Sequence, residues 1–401
     1  MAELSTCPPL TRQSVQEAHS RIKSYVHRTP TATCQTISDI ASTPQTPESL
    51  KGTQYEGQTP AKPKINVFFK CENQQKIGAF KARGAFHALS RLMKERGGKE
   101  GLDVTTHSSG NHAQALALAA RTFGVPAHIV MPSISTPSKI AGTQAQGARV
   151  LFSGSTSEER EAVVRDVIKE TGAVLVPPYD HPDIMLGQGT LALELEEQVE
   201  EIVREDPGRG VPGKKGLDAV VAPCGGGGML SGVATALHGT GIRVFGAEPS
   251  FEGADDAKRG VEQGKRVERV KTLTIADGLR TPLGEITWTV ISDKEKVKGM
   301  FSVSEEQIKS AMRLLLERAK LFVEPSAAVG LAVVLYDETF RRIAEKEGGD
   351  EGWNVGVVLS GGNTTVEAIA KLFSPSDEQK AEREESKVGM HGEKVAENVA
   401  G

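Results

Sequence analysis

The sequence predicts an α/β fold in which parallel strands are covered by helices on both faces. Two observations carry that reading. Short apolar runs alternate with longer segments whose apolar residues recur at helical spacing. Several of those runs end in loops of glycine, serine or asparagine, the small residues found where parallel sheets bind ligands at their carboxyl ends.

The elements follow in order along the 401 residues. Val15, Ala18, Ile22 and Val26 mark a helix within 11–27. Residues 43–64, rich in Pro, Thr and Gly, read as a surface insertion. "INVFFKCE" is a strand, and "AFKARGAFHALSRLMKERGG" a helix ended by glycines. "DVTTHSSG" then leads into the helix "NHAQALALAARTFG", and "AHIVMP" precedes "TPSKIAGTQAQGA". "RVLFSG" precedes a helix at 157–171, and "AVLVPPYD" closes this series. A helix at 188–204, the strand "DAVVAPCGGGG", a helix from 229 and the strand "RVFGAEPS" come next. Helices at 304–320 and 326–347 precede the strand "NVGVVLSGGN". Residues 374–401 are charged and poor in large apolar side chains, the composition of a disordered tail.

Composition narrows the function classes. A net charge of −4 and 4% aromatics offer neither a basic stripe nor stacking platforms for nucleic acid. Cys7, Cys34, Cys71 and Cys224 lie far apart and form no CxxC, so neither a disulfide framework nor a zinc site is expected. That usage suits a reducing compartment and points to the cytoplasm. The first residues have no apolar core resembling a signal peptide. The longest apolar stretch, "LFVEPSAAVGLAVVLY", is broken by Glu324 and Pro325 and is too short to span a membrane.

Three loops carry the chemistry. "CGGGGML", residues 224–230, places four glycines between a strand and a helix, where exposed N–H groups can receive a phosphate. It lacks the G-x-G-x-x-G and GK[ST] fingerprints of NAD and ATP sites. "SSGNHA", residues 108–113, gathers two hydroxyls, an amide and His112 after a strand. "LSGGN" sets Ser360 at another strand end. Lys81, confined in "GAFKARGA", is a candidate nucleophile. A phosphate cradle, a confined lysine and serine-rich loops together suggest pyridoxal phosphate.

"GAFKARGA", "SSGNHAQALA", "PPYDHPDIMLGQGT", "GGGGMLSG", "TIADGL", "EPSAAVG" and "SGGN" stand in one order. In that order the chain resembles the serine racemase and serine/threonine dehydratase family, including fungal 3-hydroxyaspartate dehydratases, over about residues 11–373. The resemblance implies a two-lobed pyridoxal phosphate enzyme of fold type II, like the tryptophan synthase β subunit. The large cofactor-binding lobe would comprise 11–99 and 176–373, and a small mobile lobe 100–175. Lys81 would hold the cofactor covalently and move a proton on one face of the substrate; Ser109 would do so on the other. Phe80 would lie beside the cofactor ring, Asn111 would bond its phenolic oxygen, and Ser360 would face its nitrogen. Gly225, Gly226, Gly227, Gly228 and Met229 would bind its phosphate. Ser108, Ser109, Asn111 and His112 would hold the substrate carboxylate, with Arg160 reaching towards the substrate. Asp277 and Glu324 fall in family motifs near the cofactor but can also be read as helix caps.

A Mg²⁺ or Ca²⁺ site is implied at Glu248, with the Ala254 carbonyl and Asp256. Asp255 with the Gly253 carbonyl is the fallback. The implied reaction is racemisation or dehydration of serine-like hydroxyamino acids to an oxo acid and ammonia, in a homodimer. The alternatives are dehydration of 3-hydroxyaspartate and, in another class, a catalytically silent amino-acid-binding protein.

Overall fold

The computed structural model describes residues 3–108, 110–135, 137–154 and 157–374. Residues 1–363 form one compact unit. A second begins at Thr364; its described part is the helix Val366–Phe373, capped by the Thr365 hydroxyl, which accepts from the Ala368 N–H.

The strands are, in chain order, β1 (Thr31–Thr33), β2 (Ile65–Cys71), β3 (Val104–His107), β4 (Ala127–Pro132) and β5 (Arg149–Ser153), then β6 (Val174–Leu175), β7 (Ala219–Pro223), β8 (Arg243–Pro249), β9 (Gly299–Val303) and β10 (Trp353–Leu359). They build a six-stranded sheet in the order β1-β2-β10-β7-β8-β9 and a four-stranded sheet in the order β5-β4-β3-β6. Every pairing is parallel except β1 on β2. Central strands β7 and β10 are buried at every residue, as strands covered on both faces must be. The α/β class and parallel sheets expected from the sequence are those found.

Several boundaries differ from the sequence reading, each through a local cap or a tertiary contact. The helix expected at 188–204 begins at Pro182, because the His181 side chain accepts from the Asp183 N–H and starts it earlier. The helix expected at 326–347 is two, Pro325–Tyr336 and Glu338–Gly348, because the Asp337 carboxylate caps a new start at the Phe340 N–H. The helix at 304–320 starts in a Ser304–Gln307 capping box and ends in a π turn, Leu315–Ala319. Strand β1 and the helices Gln35–Ser42, Asp256–Gln263 and Glu285–Ile291 are too short for periodicity to reveal, and β9, with burial pattern broken at Ser302, lacks the continuous apolar run of β7. The Pro/Thr/Gly-rich segment buries Leu50 and Ala61. Its flanks are tied down by Arg341, which donates to the carbonyls of Ala41, Thr43 and Ala61. Among the described residues no helix is long and apolar enough to cross a membrane.

The helix Lys81–Glu95 is held from below by a buried ion network. Arg83, fully buried, donates through Nε and Nη2 to Glu72 at 2.8 Å, and through Nη1 and Nη2 to Glu194 at 2.8 and 2.7 Å. Lys70 on β2 reaches the same Glu194 at 2.7 Å and also the Thr29 carbonyl and Gln198. Two cations thus face two carboxylates, and the buried set is neutral. Burial alone would raise the Glu194 pKa, but Arg83 and Lys70 outweigh it and hold the carboxyl below its ordinary value. Where the same helix meets Pro182–Glu205, a Cβ on Gly187 would lie 2.7 Å from Gly84 Cα. The two backbones touch, and Lys81 sits at the top of the clamped helix.

Arg83→Ala should destabilise the protein by about 3–5 kcal/mol, since two buried carboxylates would keep only Lys70. Urea unfolding read by fluorescence checks this; an unchanged midpoint would make the network dispensable.

Candidate active site

The carboxyl ends of the parallel strands open into one cavity of about 780 Å³. Phe80, Lys81, Ser108, Asn111, His112, Arg160, Gly225–Gly228, Met229 and Ser360 all line it. The structure therefore gathers these sequence-inferred residues from five separate stretches of chain. Ser109 lies outside the described residues. Glu248 and Asp256 are not among the cavity's lining.

Lys81 is the first residue of its helix, after the loop that leaves β2. Its half-buried amine donates to the Pro178 carbonyl at 2.7 Å and lies 5.2 Å from the Phe80 ring centre. Burial without a carboxylate partner lowers its pKa to about 8. A lysine so placed is partly neutral near physiological pH and available as a nucleophile or base.

The glycine loop follows β7 and enters the helix Gly228–Leu237. Gly227 takes φ +86°, a left-handed conformation that L side chains rarely adopt, and a Cβ on Gly226 would sit 2.5 Å from the Tyr179 ring. Among the described residues, no acceptor meets the N–H groups of Gly225, Gly226 or Gly227. Unmet donors at the start of a ten-residue helix form an anion cradle. These observations fit the phosphate of pyridoxal phosphate, and Lys81 fits its aldehyde.

Tyr179 and Asp180 were not singled out from the sequence, although "PPYD" was read as the end of a strand series. Tyr179 backs the cradle, and burial raises its pKa to about 12. Asp180 accepts from the N–H groups of Glu285, Ile286 and Thr287 and so caps a helix more than a hundred residues away. His107, Lys139, Glu161 and Arg280 also line the cavity without having been anticipated. Lys139 pairs with Asp277 at 2.7 Å.

The polar loop after β3 is ordered by its neighbours. Ser108 Oγ accepts from the Gly110 N–H at 3.3 Å. His112 is buried and neutral, its pKa pushed down to about 3 by burial and the nearby Lys81. Its Nε2 bonds the Val176 carbonyl at 3.1 Å. Asn111 donates to Glu324 at 3.1 Å. Glu324 precedes the helix Pro325–Tyr336 but makes no capping bond; burial, then Asp277, raises its pKa to about 7. Read as a cap, it is a pocket residue. Asp277 likewise lines the cavity rather than simply capping a helix. Arg160 is half-buried at the cavity wall, where its charge helps lower the pKa of His107.

In the implied cation site, Glu248 is fully buried and accepts from the N–H groups of Ala257 and Lys258. Asp256 accepts from the Leu283 N–H. Burial and their mutual repulsion push the Glu248 pKa well up, and burial raises Asp256 to about 7. Among the described residues, the cluster of three side chains spaced for a metal lies elsewhere, at Cys7, His181 and Asp183. There Arg91 already pairs with Asp183, and His181 Nδ1 accepts the Asp183 N–H.

The chain is 40% identical to a serine racemase of Arabidopsis thaliana over 365 residues, covering 90% of this chain and 96% of that protein. It is 38% identical to an L-threo-3-hydroxyaspartate ammonia-lyase of Saccharomyces cerevisiae, covering 92% and 98%. The solved structure of maize serine racemase superposes with a TM-score of 0.74 at 37% identity, covering 90% and 96%. The family described as pyridoxal-phosphate dependent enzyme matches residues 52–361. That span takes in every cavity residue named above, and the chain belongs to the pyridoxal-phosphate dependent enzymes.

Proposed function

We propose that this protein acts on serine-like hydroxyamino acids, either racemising them or eliminating the β-hydroxyl to leave an oxo acid and ammonia. The observation that carries the reading is Lys81, an amine of lowered pKa sharing one cavity with a cradle of backbone N–H donors. Similarity to a serine racemase and to a hydroxyaspartate ammonia-lyase supports the substrate class. Pyridoxal phosphate, when bound, supplies the electron sink for the pair left at Cα. Lys81 would hold it covalently, and Gly225–Gly228 with Met229 would bind its phosphate. When not engaged with the cofactor, Lys81 Nζ would be the base that takes the α-proton of the substrate. Racemisation then needs a proton donor on the opposite face, the role inferred for Ser109. Elimination needs only that the β-hydroxyl leave as water, the proton taken from Cα by Lys81 Nζ passing to the departing oxygen. Closure of residues 100–175 over the substrate would exclude water. A homodimer is the setting implied by the resemblance, and four unpaired cysteines accord with a reducing compartment such as the cytoplasm.

A second reading, dehydration of 3-hydroxyaspartate, is favoured by Arg160 at the cavity wall. A panel of L- and D-serine, threonine and the hydroxyaspartate diastereomers, assayed for oxo acid and for enantiomer, tests both. Racemisation or oxo acid from at least one is expected; no product from any would make the protein a silent amino-acid binder. If the second carboxylate meets Arg160, Arg160→Ala should lower kcat/KM for hydroxyaspartate by about tenfold to a hundredfold and leave serine nearly unaffected.

Lys81→Ala should abolish turnover and covalent cofactor attachment. Peptide mapping after borohydride reduction checks it, and label on another lysine would overturn the assignment.

We further propose Mg²⁺ or Ca²⁺ at Glu248, Asp256 and the Ala254 carbonyl, an all-oxygen set suited to a hard cation. The fallback is weakened because Arg259 holds both Asp255 and the Gly253 carbonyl. A cation would neutralise two buried acids and, through Asp256 and Leu283, steady the wall of the glycine loop. Chelation should therefore lower Tm, Mg²⁺ or Ca²⁺ should restore it, and Glu248→Gln should respond to neither. An unchanged Tm on metal stripping would remove the site.

A further inference from the structure

Asn111 is held by two partners from distant parts of the chain. Its Oδ1 accepts from Asn363 Nδ2 at 2.7 Å, and its Nδ2 donates to Glu324 Oε1 at 3.1 Å and Oε2 at 3.4 Å. Asn363 has no choice of orientation, because its other Nδ2 hydrogen goes to the Ile77 carbonyl at 2.8 Å, which can only accept. Its backbone N–H meets Glu324 Oε2 at 3.2 Å. The Ile77 carbonyl is in turn aimed by a turn in which Ile77 and Gly78 have φ +59° and +70°. A β-branched residue in the left-handed region is strained, and such strain gathers at functional sites. The turn is crowded as well: a Cβ on Gly78 would lie 2.6 Å from Asn363 Oδ1.

This arrangement leaves one degree of freedom, and it is already spent. With Oδ1 committed to Asn363 and one Nδ2 hydrogen to Glu324, the second Nδ2 hydrogen of Asn111 remains for the cavity that Asn111 lines. An amide flipped by 180° would set Oδ1 against the Glu324 carboxylate and NH₂ against the NH₂ of Asn363, losing both bonds. Glu324 is buried, and no cation touches its oxygens among the partners described; its contacts are with N–H donors. It therefore acts as an acceptor that fixes a neighbour, with Asn363 as the opposing clamp.

We infer that Glu324 and Asn363 are positioning residues that lock the Asn111 amide so that it presents a donor, never an acceptor, to the phenolic oxygen of the bound cofactor. The inference rests on the pyridoxal phosphate reading above. Its consequence is specific: replacing Glu324 should change the cofactor's electronic state through Asn111, and only through Asn111.

The test uses the holoenzyme and a double-mutant cycle. Glu324→Gln is isosteric but keeps one acceptor oxygen where two donors converge, Asn111 Nδ2 and the Asn363 N–H, so the clamp on Asn111 loses a bond on one side or the other. The visible absorbance maximum of bound pyridoxal phosphate should shift as in Asn111→Ala, and the affinity of the apo chain for the cofactor should fall about tenfold. The double variant Asn111→Ala/Glu324→Gln should be no worse than Asn111→Ala alone. Asn363→Ala, which removes the opposing clamp, should give the same shift with a smaller loss of affinity, and serves if Glu324→Gln folds poorly. Additive losses, or single variants with the wild-type spectrum and affinity, would overturn the positioning role while leaving the cofactor reading intact. A wild-type chain that shows no visible band with pyridoxal phosphate would overturn both.

Discussion

The site depends on a charge balance that is out of sight of the substrate. Arg83 lies two residues beyond Lys81 on the same helix and is joined to Glu72, just after β2, and to Glu194, on the Pro182–Glu205 helix. Lys70 on β2 closes the set. Buried ions of this kind are costly when any partner is missing and close to neutral in stability when all are present. Their effect is on geometry: one sheet strand and two helices keep a single arrangement, and the amine of Lys81 is delivered to the cavity from a rigid base. The loop preceding that helix can then carry the strained Ile77 turn without the helix shifting to relieve it.

Above this base, the cavity separates two electrostatic tasks. Around Lys81, burial is met by a backbone carbonyl and by no carboxylate, and the amine loses part of its affinity for protons. Around Gly225–Gly227 the surroundings offer N–H groups, and anions are favoured. The two meet at Tyr179 and Pro178, adjacent residues of one segment: Tyr179 packs on the glycines, and the Pro178 carbonyl accepts from Lys81. Asp180, next in sequence, ties the segment to the helix Glu285–Ile291. A nucleophile and a phosphate cradle are thereby kept at a set separation by three consecutive residues.

Charged groups line the far side differently. Asp277 and Lys139 form an ion pair at the cavity, partly exposed, so their attraction is screened by water and is a weak restraint compared with the buried network. Glu324 lies deeper, and Asp277 adds to the burial that raises its pKa. The cavity thus grades from a solvated pair at the rim to an isolated acid beside Asn111. Chemistry that depends on the state of one amide is kept away from bulk solvent.

Contiguous residues were enough to read the strand–helix alternation, the glycine loop and the confined lysine. Each is written in contiguous residues whose local physics is enough: the strand runs of β7 and β10, four successive glycines, and a lysine among small neighbours. The sequence also brought Asn111, His112 and Ser360 into consideration, since each follows a strand. What those residues touch follows from packing alone. Asn111 is 213 positions from Glu324 and 252 from Asn363, and no pattern in either segment encodes their meeting. The same holds for Tyr179 behind the glycines and for Asp180 capping a remote helix. Helix starts at Pro182 and Glu338 were missed because one capping side chain, His181 or Asp337, outweighs periodicity over a single turn. Backbone propensity is local and can be read along the chain. Hydrogen-bond partners and charge balance are fixed by packing, and they come into being only when distant segments are brought within reach.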